Sequence, residues 1–137
     1  REYHVNGRKT NSSHENDTVD VRLYPSFTGE AISGTYQLTD ILPSGLIPVT
    51  KLYRGGGTYD CNYWYPYDTD GQMVKYSIDK NFPSYFCGGE FIKYYARVKN
   101  RGQYKAEPTI IQSLLNPDYI NYSNIETVNI SKEFLRW

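Results

Sequence analysis

Two cysteines and two histidines are the residues of this 137-residue chain best suited to nucleophilic or metal chemistry, and their placement favours neither. A nucleophile needs a base within hydrogen-bond reach, and zinc needs three or four ligands at set spacings. His4 and His14 fall in a polar N-terminal stretch, and with Cys61 and Cys87 they make no recognised ligand pattern. No catalytic residue, metal or cofactor is therefore assigned, and an enzyme is not expected. Cys61 and Cys87 stand 26 positions apart among aromatic residues and form a candidate disulfide. In an oxidising compartment that bond would restrict the unfolded chain by roughly 3–4 kcal/mol. In a reducing one the pair reads as two buried free thiols. Asp68-Thr69-Asp70-Gly71 clusters carboxylates of the kind calcium prefers, but it lacks the remaining ligands of an EF-hand and reads as a hairpin turn. Arg54-Gly55-Gly56-Gly57 has the glycine density of a phosphate cradle without the Lys-Ser/Thr that completes one. Direct binding has a better candidate in Tyr63, Trp64, Tyr65 and Tyr67, ranged around Pro66. Such rings stack on sugar faces or fill a partner's pocket; equally, alternate rings fill the core and the others meet a neighbouring sheet or domain.

The elements that must position these residues are strands. Fifteen tyrosines against one methionine favour a pleated surface over helices. Strands are expected at 18–24, 34–41, 47–53, 58–63, 73–78, 91–99, 103–106 and 125–130, with an initial strand near 3–5. Val19-Asp20-Val21-Arg22-Leu23 alternates most clearly, with Val and Leu inward. Seven to nine short strands separated by Gly, Pro, Asn and Asp turns give an all-β, antiparallel sandwich of immunoglobulin-like type. Residues 109–115 read as a helical turn or as extended chain. Residues 6–17 are polar and Asn-rich and read as a mobile segment.

One domain fits this length. Lys plus Arg equals Asp plus Glu at 15 each, so no net field draws the chain to nucleic acid or to an anionic membrane. Its apolar runs are far shorter than the roughly 20 residues that cross a bilayer. There is neither an initiator Met nor a signal-like apolar run, so the chain reads as a piece of a longer, exported protein. The sequons at Asn11, Asn16, Asn121 and Asn129 are given no role.

The stretch 91–118 carries the most specific pattern. Tyr95, Arg97 and Lys99 alternate with Tyr94, Ala96 and Val98; Asn100-Arg101-Gly102 turns the chain; and Gly102 can take the positive φ other residues avoid. The strand that follows ends at Pro108, which has no N–H for a ladder and so belongs at an edge. Tyr95, Ala96, Arg97, Gly102, Tyr104, Pro108 and the triplet Asn116-Pro117-Asp118 resemble the C-terminal, receptor-binding-like macroglobulin domain of bacterial α2-macroglobulin-like proteins. Asp40, Leu42, Pro43, Gly45 and Leu46 are similar to a second segment of the same domain, in the same order. The resemblance spans about 18–131.

That resemblance implies a function. Such proteins trap peptidases: cleavage of an exposed bait triggers a rearrangement, and a thioester in another domain then couples to the protease. The C-terminal sandwich packs on the thioester domain and shields the reactive bond. Neither Cys61 nor Cys87 is followed by a thioester-type Gly-x-Gln sequence, so that group is not expected here. The contact is expected at Leu115, Asn116, Pro117, Asp118 and Tyr119, with Leu115 where many relatives carry tyrosine, and Tyr122 near by. The implied partners are the other domains of the same polypeptide, the thioester domain above all, and proteases met through the full-length protein. The implied location is extracellular or cell-surface, periplasmic in a Gram-negative cell. The competing expectation is a stand-alone adhesive or carbohydrate-binding surface module, acting through the rings of 63–67.

Overall fold

In the computed structural model, residues 1–49, 66, 68–79 and 91–132 are described. They form an all-β sandwich of immunoglobulin-like character without a helix among them, in thirteen strands rather than the seven to nine expected. The strands are β1 (Glu2–Val5), β2 (Arg8–Lys9), β3 (Ser12–His14), β4 (Thr18–Leu23), β5 (Thr35–Ile41), β6 (Leu46–Pro48) and β7 (Asp68–Asp70). They continue as β8 (Met73–Asp79), β9 (Ile92–Val98), β10 (Gly102–Ala106), β11 (Ile110–Ser113), β12 (Ile120–Tyr122) and β13 (Glu126–Ser131). Two five-stranded sheets, in the orders β2-β1-β4-β9-β6 and β12-β11-β5-β8-β7, are accompanied by a three-stranded sheet, β10-β13-β3. Every pairing is antiparallel except β3 with β13.

Period-two alternation sets the faces. Val19, Val21 and Leu23 of β4 point inward, as do Ile92, Tyr94, Ala96 and Val98 of β9. From the facing sheet come Tyr36 and Leu38 of β5 and Val74, Tyr76 and Ile78 of β8. The Tyr76 and Tyr94 rings meet across the core at 6.1 Å between centroids. Tyr94 is thus the core member of the Tyr94-Tyr95 pair, and Tyr95 lies half-buried on the outer face beside Lys93.

The two family-like segments are neighbours in space. Leu46 pairs with Val98 and Pro48 with Ala96, and the Gly45 carbonyl accepts the Lys99 N–H at 2.8 Å. A Cβ on Gly45 would lie 2.6 Å from Ile130 Cδ1 and from Tyr104 Cε2, and 2.9 Å from the Asn100 carbonyl, so only glycine lets the chains meet there. Gly102 takes φ +146°, and the Tyr104 hydroxyl, 3.1 Å from the carbonyls of both Asn100 and Arg101, closes the turn.

One expectation changes and two are sharpened. Residues 6–17, read as a mobile segment, hold β2 and β3: Asn6 and Gly7 at φ 51° and 78° make the tight β1–β2 turn, and β3 joins β13. Of the two readings open for 109–115, residues 110–113 take the extended one, because β11 pairs on both sides, with β5 and β12. Asp68-Thr69-Asp70 is strand β7, and the turn itself falls at Gly71-Gln72.

Candidate functional site

Of the eight large apolar side chains exposed among the described residues, six lie between residues 114 and 125: Leu114, Leu115, Tyr119, Ile120, Tyr122 and Ile125. They belong to the β11–β12 hairpin and the chain just after it. This concentration picks out the hairpin as the surface to explain, since scattered single exposures need no explanation and clustered ones do.

The tip of the hairpin is built by the triplet. The Tyr119 N–H reaches the Asn116 carbonyl at 3.0 Å, closing a four-residue turn with Pro117 in the position its fixed φ suits. Asn116 Oδ1 accepts the Asp118 N–H at 3.3 Å, an Asx turn inside the larger one. Ser113 Oγ accepts the Asn116 N–H at 3.0 Å, and Gln112 Nε2 donates to the Pro117 carbonyl at 2.9 Å. The Leu114 N–H donates to the Thr35 carbonyl at 3.0 Å, tying the tip to the start of β5. Asn116, Pro117 and Asp118 therefore shape the tip, while Leu115, 74% exposed, Leu114 at 53% and Tyr119 at 50% stand on it. The sequence-predicted residues 115–119 are brought together in this one exposed turn.

Beside the hairpin runs a trough. A recess of about 540 Å³ lies between Phe27 and Glu30 on one wall and Ile111, Tyr119 and Asn121 on the other, over Tyr36. A narrower one of about 180 Å³, between Tyr24 and Tyr122, shares Ser26, Ile111 and Asn121 with it and reaches Arg1 and Thr109.

At the base of the hairpin lies a cluster that sequence reasoning missed. Asp40 is fully buried on the inner face of β5. Its Oδ1 accepts from Arg1 Nη1 and, at 2.8 Å, from the Thr109 hydroxyl, and its Oδ2 accepts from the Tyr94 hydroxyl. The Arg1 side chain is also fully buried. It donates further to the Ile41 carbonyl at 3.2 Å, to the Glu107 carbonyl, and from Nε to Glu126 Oε1 at 3.4 Å. Its guanidinium carbon sits 5.6 Å from the centre of the Tyr3 ring. Burial by itself lowers the Arg1 pKa, but the charges of Asp40, Tyr3, Glu126 and Tyr94 outweigh it and the net shift is upward. Burial, then the charge of Asp40, pushes the Tyr94 hydroxyl well above its ordinary value. With no face open to solvent, the Asp40 carboxylate holds sheets together and is not placed to act on a substrate. One signal was available: Asp40 follows Tyr36 and Leu38 on the same strand face, and a lone carboxylate in an apolar row must find partners.

The remaining candidates are dispersed. His4 Nε2 lies 2.9 Å from Glu2 Oε1, and His14 Nδ1 lies 3.8 Å from Asp17 Oδ2. No group of three or more His, Cys, Asp or Glu side chains is placed to hold a metal among the described residues. Tyr63, Trp64, Tyr65, Tyr67, Cys61 and Cys87 lie outside the described residues. The chain matches no family model and no curated protein.

Proposed function

We propose that this chain is the non-catalytic C-terminal sandwich of a bacterial α2-macroglobulin-like peptidase trap, exported to the cell surface, and that it packs against and shields a thioester domain of the same polypeptide. One observation carries the reading: a braced hairpin raises Leu114, Leu115 and Tyr119 into solvent at the position where the resemblance puts the interdomain contact. A rigid support matters because an apolar cap keeps water from a reactive carbonyl only if it stays in place. Burying a side chain such as Leu115 would contribute about 1.5–3 kcal/mol to the docked state. That is enough to hold a contact within one polypeptide and small enough to be lost when bait cleavage rearranges the molecule. The roles of Gly45, Gly102 and Tyr104 in joining the two family-like segments support the same reading, since each residue has a packing reason to be there.

The test is methylamine uptake by the parent protein, wild type against Leu115→Asp. A carboxylate in the contact would have to shed its water against an apolar surface, so the variant is expected to lose its reactive bond before any cleavage. A parent that never reacts with methylamine, or a variant with wild-type kinetics, overturns the reading.

A further inference from the structure

We infer that Arg1 is a positioning residue for the β11–β12 hairpin, gripping the chain where it enters and where it leaves the hairpin and so coupling β1 to the apolar tip. The flanks, called its legs below, are residues 107–109, between β10 and β11, and residues 123–126, which run from β12 into the first residue of β13. Arg1 Nη2 donates to the Glu107 carbonyl on the first leg, and Nε donates to Glu126 Oε1 at 3.4 Å on the second. Between them Nη1 is fixed on Asp40, whose Oδ1 also takes the Thr109 hydroxyl at 2.8 Å. The legs are stitched to each other at the same level. The Ser123 N–H reaches the Thr109 carbonyl at 2.9 Å, and Ser123 Oγ accepts the Thr109 N–H at 2.7 Å. One guanidinium thus joins β5, the β10–β11 connection and β13. It can do so because its donors lie in a planar fork, which a lysine ammonium on its flexible stem does not reproduce.

The fully buried Arg1 and Asp40 side chains must stay paired or leave a bare charge in the core. A displacement of Arg1 therefore acts on the base of the hairpin, and by linkage a load on the hairpin acts back on Arg1 and β1. The biological use of this tether, setting the height of the interdomain contact, rests on the function proposed above; the tether itself does not.

The experiment is amide hydrogen exchange on the 137-residue chain carrying Arg1→Lys, with Arg1→Met as a second variant. Lysine keeps a cation beside Asp40 and gives up the grip on Glu107 and Glu126. Exchange at the Ser113, Leu114 and Ser123 amides is expected to quicken by about tenfold or more, the loss of one or two hydrogen bonds to a charged group. The β4–β9 amides, on the opposite sheet, should keep their wild-type rates. Arg1→Met, which leaves Asp40 without a cation, should add acceleration in both sheets. Uniform acceleration of both sheets in Arg1→Lys, or no change at the hairpin, overturns the tether. If the hairpin quickens but methylamine uptake by an Arg1→Lys parent is unchanged, the tether stands and the interdomain contact does not.

Discussion

The base and the tip of the β11–β12 hairpin, a few residues apart along the same strands, reverse the usual placement of charge and hydrocarbon. At the base, Arg1 and Asp40 are fully buried. At the tip, leucines and a tyrosine face water. The base tolerates burial because each Asp40 oxygen and most Arg1 donors are met, so desolvation is balanced by charge-assisted bonds. The tip tolerates exposure because its turn satisfies its own backbone and needs no apolar packing to keep its shape. Buried charge here is an internal fastening. The exposed hydrocarbon of the tip is, in the function proposed above, the surface offered to the partner domain.

The comparison breaks most visibly through Asp40. Asp40→Ala strands the Arg1 charge in the core and should cost about 3–5 kcal/mol in urea unfolding of the 137-residue chain. A loss under 1 kcal/mol would mean the pair is not the fastening described. Gly45→Ala comes next, since its Cβ would lie 2.6 Å from two core side chains and 2.9 Å from a backbone carbonyl. Overpacking of this kind costs about 1–3 kcal/mol, read from the same unfolding curves. Alkaline titration then sharpens the picture of the base. The Tyr94 hydroxyl holds its proton in the folded state well beyond its ordinary value of 10.0, through burial and the charge of Asp40. The folded chain therefore binds more protons than the unfolded one above that pH. Its contribution to stability is complete below pH 10 and falls as pH rises towards the folded-state value. Tyr94→Phe should flatten that decline, as followed by unfolding midpoints from pH 9 upward. The smallest effect is expected at the tip: Leu115→Ala should shift stability by no more than about 0.5 kcal/mol. A larger loss would make Leu115 part of the core's support and remove the contrast.

Much of the sandwich was legible because alternation is a strong signal where one face is buried. Val19, Val21 and Leu23 point inward as their spacing said they would, and Tyr94, Ala96 and Val98 share one face as alternation requires, though spacing alone did not say which face was the core. Strands β7 and β12 were missed because both are short and exposed throughout, leaving no alternation to read. The β1–β2 hairpin was missed for want of apolar residues in β2, although Asn6-Gly7 is a tight-turn pair by type. Residues 115–119 were placed by resemblance, and their meeting in one turn follows from Pro117 and the side chain of Asn116. The Arg1–Asp40 pair was out of reach of local patterns, because its members stand 39 positions apart and meet only once the two sheets face each other. Only Asp40 itself, charged in an apolar row, announced that some partner had to exist.

Amide exchange over residues 114–120, measured in the 137-residue chain and again within the full parent protein, asks most directly whether the tip is kept for a partner domain. Slower exchange at Leu114, Leu115 and Ile120 in the parent, restored to the rates of the isolated chain once bait cleavage has rearranged it, is the predicted result. Equal exchange in the isolated chain and the uncleaved parent would contradict it.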